Sequence, residues 1–189
     1  SLEPDSSAIC KVMYVPAERS IVSVAENKPS VLRQLPASVA TFNDRLTDAK
    51  RFFKDGYPLP YGALTFKYDQ LNGVSKILGE GYAVFLRNAS SGIQSSVPLC
   101  LVSDYLAQLV MTHESEMVLP DKMQQWIDSQ VREILNNDKF SNQVKESALK
   151  NLSHYSFYNS FVNIVEEPEL SLFPTSQLEV LRRLVADNT

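Results

Sequence analysis

The stretch Ile164-Val165-Glu166-Glu167-Pro168-Glu169-Leu170-Ser171-Leu172-Phe173-Pro174 sets three carboxylates within four positions, directly after an apolar run. Like charges this close repel, and each costs desolvation if it is buried. They must stand in open solvent or around something positive. Carboxylates just past an apolar strand lie at its carboxyl end, where open α/β sheets bind ligands. One carboxylate there can hold Mg²⁺, a hard ion that prefers oxygen ligands and keeps several waters. A second can take a proton from an attacking water. Glu166 and Glu167 are adjacent, so an extended chain points them to opposite sides, which suits two tasks better than shared ligation. Pro168 cannot donate to a ladder and is expected to end the strand. The plainer alternative is a strand that ends in a solvated acidic loop.

Two further stretches carry polar groups at element ends. Ala89-Ser90-Ser91-Gly92-Ile93-Gln94 joins hydroxyls, a glycine and a helix start, which together make an anion site; alone, the same residues make an ordinary turn. Pro98 would fall inside a helix begun at Ser91, so a kink or a later start is expected. Val12-Met13-Tyr14-Val15-Pro16-Ala17-Glu18-Arg19 reads as an apolar strand ending in charge, with an internal ion pair as one role for Glu18 and Arg19.

The acidic stretch resembles the Walker B segment of ABC-type ATPases of the RecF/SMC/OLD group: an apolar strand, an acidic pair, Pro-Glu, then a leucine-rich turn closed by Pro. This chain has Glu where Asp is usual, and Phe173 where many relatives have His. The resemblance implies Glu166 on the Mg²⁺ side and Glu167 as the general base that polarises water against the γ-phosphate. Ser90, Ser91 and Gly92, with Gln94 beside them, resemble the signature motif, whose serine here is either Ser90 or Ser91. Residues 14–19 resemble a run found in the same group near the usual Q-loop, which would bring Glu18 and Arg19 beside metal or phosphates. The three pieces stand in the family's order and span nearly the whole chain. Together the resemblances imply an ATP- and Mg²⁺-dependent hydrolase, with nucleotide sandwiched in a homodimer of the parent protein. Relatives of this kind act in DNA repair, phage defence or coupling to a nuclease.

These residues need elements to place them. Residues 8–15 read as a buried strand. Val39, Phe42, Leu46, Ala49 and Phe53 form one stripe of a helix from Ser38, closed by Asp55-Gly56-Tyr57-Pro58. Residues 64–68, 74–78 and 82–86 read as a β meander with a hairpin turn at Asn72-Gly73. Leu101, Tyr105, Leu109 and Met111 suggest a helix after Pro98. A second opens at Pro120-Asp121, with Met123, Trp126 or Ile127, Val131, and Ile134 or Leu135 inward; a third covers roughly 141–152. Residues 157–165 read as a buried strand, and a last helix begins near Thr175, with Ser176 and Glu179 as a capping box. The fold class is α/β: a partial P-loop NTPase core with a small meander and a helical insertion. One partial domain spans 1–189: a Q-loop-like strand and helix over 1–60, a β-rich segment over 61–94, a helical subdomain over 95–155, and the acidic strand with its helix over 156–189.

The 189 residues are 44% hydrophobic and 21% charged, ordinary for a globular chain with its own core. A net charge of −4 without a basic block gives nucleic acid no general foothold, though a local basic patch that binds DNA is compatible with it. Cys10 and Cys100 are too few and too far apart for a disulfide framework or zinc site, which fits a reduced, cytoplasmic setting. No apolar run has the length of a membrane span. No glycine begins a G-x-x-x-x-G-K-[ST] phosphate cradle. The sequence is therefore expected to be an internal piece of a longer ATPase, inactive by itself. The residues also allow a metal-dependent nuclease using Glu166, Glu167 and Glu169 with Asp104 or Asp121, or a non-catalytic interaction module.

Overall fold

The structure is a computed structural model that describes residues 10–112, 121–137, 140–153 and 160–186. His113, Met117, His154 and the 157–159 part of the expected strand lie outside these residues. The chain is mixed α/β and divides into two compact units. Among the described residues, no helix is long and apolar enough to cross a membrane.

The larger unit takes in Val12–Ala107 and Asn163–Thr189. Strand β1 is Cys10–Val15 and β6 is Ser160–Val165; they pair with each other as a two-stranded parallel sheet. Their alternation shows which face is covered. Met13 and Val15 are buried, while Val12 is 61% and Ile164 51% exposed. The expectation of fully buried strands is thus corrected: one face packs inward and the other is bare. Asn163, an oddity in an apolar strand, lies on the inward side and donates from Nδ2 to Ser103 Oγ at 2.9 Å.

After β1 a short 3₁₀ turn, Ala17–Arg19, runs into α1 (Ser20–Val24), and α2 follows at Pro29–Leu32. Helix α3, Ala37–Phe52, buries Val39, Phe42, Leu46 and Ala49 of its apolar stripe, while Phe53 caps its end and is half-buried. Strands β2 (Tyr57–Pro58), β3 (Thr65–Asp69), β4 (Val74–Gly79) and β5 (Tyr82–Phe85) form an antiparallel sheet in sequence order. Phe66 and Ile77 are paired in register and both fully buried, so one face of this sheet is core. The β3–β4 turn is longer than a two-residue hairpin: four residues, 70–73, separate the strands. Gly73 takes the left-handed backbone (φ 63°), and the Asp69 carboxylate accepts from both Asn72 nitrogens, backbone at 3.1 Å and side chain at 2.7 Å.

Helix α4 spans Ser91–Thr112 and continues through Pro98, so it starts well before the expected position after Pro98. Proline removes the N–H that would reach the carbonyl four residues back, that of Gln94. Ser23 Oγ donates to this carbonyl instead, at 2.8 Å, and Arg19 Nε donates to the neighbouring Ser95 carbonyl at 3.1 Å. The turn and α1 therefore supply the donors that let the helix continue.

Helix α7, Pro174–Ala186, starts one residue before the expected Thr175. Proline suits a first helical position, because its missing N–H would have no partner there. Ser176 is thus already inside the helix, and the capping box does not form. Glu179 instead pairs with Arg182 at 2.8 Å.

The smaller unit takes in Ser1–Lys11 and Gln108–Val162, and holds α5 (Asp121–Asn136) and α6 (Asn142–Ser153), packed on each other. Ile127, Val131 and Ile134 are half-buried, whereas Trp126 and Leu135 are exposed, which decides the inner side of α5. Lys145 Nζ donates to the Leu135 carbonyl at 2.7 Å, a cation at a helix C-terminus.

Candidate functional site

The crowded carboxylates sit over a positive charge. Arg19 is completely buried, yet among the described residues no carboxylate pairs with it; its partners are backbone carbonyls from three parts of the chain. Nη1 donates to the carbonyls of Pro16 (3.1 Å) and Glu166 (2.7 Å), Nη2 to that of Glu167 (2.8 Å), and Nε to that of Ser95 (3.1 Å). The planar five-donor fork of guanidinium can bridge such a set where an ammonium cannot. Burial pulls Arg19 below its ordinary pKa, and the negative charges of Glu167 and Glu169 act against that shift. The expected internal ion pair with Glu18 is absent among the described contacts, and Glu18 is exposed.

Strand β6 ends at Val165, and one more ladder bond follows, from Glu166 N to the Val15 carbonyl at 3.0 Å. The chain then leaves the extended conformation. Glu167 has φ 43° and Ser171 φ 62°, both left-handed. The strand therefore stops before Pro168, and Glu167 is not the extended neighbour of Glu166 that alternation implied. Its carbonyl accepts from both Arg19 Nη2 and Leu170 N, the latter at 3.0 Å. A left-handed non-glycine residue costs about 1–2 kcal/mol, and these two bonds hold it there.

The Glu166 side chain is exposed but not idle. Oε2 accepts from Ala17 N at 3.2 Å, and the Tyr14 hydroxyl also donates to the carboxylate. The Tyr14 bond, then the Ala17 bond, holds Glu166 below its ordinary pKa. The same contact raises the Tyr14 hydroxyl, since losing its proton would set two anions together. Tyr14 was in plain view in the sequence, but only pairing of β1 with β6 brings it to Glu166. Glu167 and Glu169 are both exposed.

The Ser-Ser-Gly start of α4 joins this turn through backbone. Gly92 is buried, and a Cβ there would lie 2.5 Å from the Ser171 carbonyl oxygen and 3.1 Å from Leu172 Cδ2. Any larger residue must push the acidic turn away. Ser90 and Ser91 remain exposed at the helix start. Gln94 faces elsewhere: its Nε2 donates to the carbonyls of Arg87 (2.8 Å) and Ala89 (3.0 Å), which fixes the loop leading into α4. Arg19, Glu166, Glu167 and Gly92 are thus gathered, and Gln94 is a loop brace.

Asp104 is not available as a metal ligand. It is buried, accepts from Tyr57 Oη at 2.7 Å, and pairs with Arg183, whose Nε lies 3.0 Å from Oδ2. Asp121 opens α5 in the smaller unit. Among the described residues, no three His, Cys, Asp or Glu side chains gather around a common point. A site built from several protein carboxylates does not fit this arrangement. A Mg²⁺ that takes one carboxylate and fills its other positions with water and further oxygen ligands would fit, and Glu166 is the residue that would hold it. Compared with known proteins, the chain matches no family model, no curated protein and no solved structure.

Proposed function

We propose that this chain supplies the acidic half of an ABC-type ATPase site. The observation that carries the proposal is the clamp: one buried guanidinium fixes the turn holding Glu166 and Glu167 to the first turns of the Ser-Ser-Gly helix. In this reading Tyr14 and the Ala17 N–H keep Glu166 ionised and aimed. Bound Mg²⁺ would supply charge neutralisation at the phosphate oxygens. Glu167 takes the proton of the attacking water as its oxygen bonds to the γ-phosphorus and ADP leaves. Arg19 fixes where Glu167 stands without touching substrate. Ser90, Ser91 and the helix N-terminus face the phosphates of a nucleotide held by a second copy. The phosphate cradle comes from polypeptide outside these residues, since no glycine run here can form one.

The test uses the parent chain that includes a phosphate cradle. Glu167→Gln should cut ATP turnover by about 10²–10⁴-fold, the usual worth of a general base. It should also leave nucleotide-bound dimers that light scattering detects. Normal turnover in that variant, or Mg²⁺-dependent turnover by the 189 residues alone, would refute the assignment.

A further inference from the structure

The outward face of the meander carries a feature that the acidic site does not use. Lys67, Lys76 and Phe85 are direct cross-strand partners on β3, β4 and β5, so all three project from one face. Two lysines directly opposite each other destabilise an antiparallel pair. Phe85 is 36% exposed on an edge strand, with the Arg87 guanidinium 4.5 Å and Lys76 Nζ 5.8 Å from its ring centre. Beside them lies an open recess of about 390 Å³, lined by Lys76, Ala83, Val84, Phe85 and Asn88. The nearby acid, Asp69, is turned into the β3–β4 loop by its two bonds to Asn72, and Glu80 sits in the β4–β5 turn. In a chain of net charge −4, two cations against one exposed ring, with Lys67 across the ladder from Lys76, are a local reversal of sign.

We propose that this face binds single-stranded nucleic acid. Lys67, Lys76 and Arg87 meet phosphates, and a base stacks on the Phe85–Arg87 pair within the recess, with the Asn88 amide at its edge. Cations alone would suit a duplex or an acidic peptide equally well. An exposed ring beside an open recess favours an unpaired base over a duplex, because a duplex hides its base faces. The inference stands independently of the ATPase reading.

The experiment is a fluorescence anisotropy titration of the full 189-residue chain with labelled oligothymidylate of about 12 nucleotides. The wild-type chain should bind this strand more tightly than a duplex of equal length. Phe85→Leu should weaken binding about tenfold, as loss of one base stack does. Lys67→Ala with Lys76→Ala should flatten the plot of log affinity against log salt by about 0.7 per lysine. Near-UV circular dichroism checks that both outward-facing variants keep the fold. Absent binding, equal binding of duplex, competition by thymidine monophosphate at matched nucleotide concentration, or unchanged binding by both folded variants would each overturn the proposal.

Discussion

Among the described residues, two cations are buried in the larger unit, Lys50 and Arg19, and they are accommodated in opposite ways. Lys50 meets a carboxylate: Glu26 accepts its Nζ at 2.7 Å, and the same carboxylate takes the Ser75 N–H at 2.9 Å and the Ser75 hydroxyl. That cluster is closed, joining α3 to β4 with no charge left over. Arg19 meets only carbonyl dipoles. Its net charge persists beneath a turn carrying Glu167 and Glu169. The first arrangement is a static pin. The second leaves a positive potential that makes a crowded, exposed acidic turn tolerable.

The difference predicts how each site breaks. The largest effect should follow Arg19→Met, which strips donors from four carbonyls at once. Each unsatisfied buried acceptor costs about 1–3 kcal/mol, and some here keep another donor, so about 4 kcal/mol is expected in urea unfolding. Arg19→Lys should recover little, because an ammonium cannot span the set. Full recovery would show that charge matters and the fork does not. Lys50→Met should cost about 3 kcal/mol by leaving Glu26 buried and unpaired. Here a second change repairs the damage: Lys50→Met with Glu26→Gln should regain most of the loss, which a double-mutant cycle reads directly. Additive losses would show that the two residues do not act as one closed unit.

The smallest effect belongs to Tyr14→Phe. A folded-state pKa lowered below the ordinary glutamate value of 4.5 adds stability that is complete above that value. It is lost as pH falls through the lowered pKa. Without the tyrosine hydroxyl, only the Ala17 N–H holds Glu166 down, so its titration should move upward and the acid-side loss of stability should shrink. Carboxyl-carbon NMR across the acid range reads the shift. An unmoved midpoint would remove Tyr14 from the site.

Local periodicity made α3 legible, because Val39, Phe42, Leu46 and Ala49 repeat at helical spacing and all are buried. The meander was legible for the same reason at period two. Pro98 was not, since its rescue depends on Ser23 and Arg19, which bond to carbonyls 71 and 76 positions away. A chain-local rule sees only the missing N–H. Arg19 itself read as a charge at a strand end, with an internal ion pair or a place beside metal or phosphates as its role. What makes it a hub is convergence of Pro16, Ser95, Glu166 and Glu167, which no spacing encodes. The capping box failed on a smaller scale: Ser176 and Glu179 have the right separation, but Pro174 had already begun the helix. The Ser-Ser-Gly stretch read equally as a turn or a helix start, and the reason for its glycine appears only where Ser171 approaches.

Glu167 occupies backbone that glycine or asparagine would fill more comfortably. A library sorted for stability alone would therefore drift toward those residues at 167, and likewise at 171, while the clamp below stayed intact. The carboxylate would be the first thing lost under such sorting, and its loss would register as an improvement.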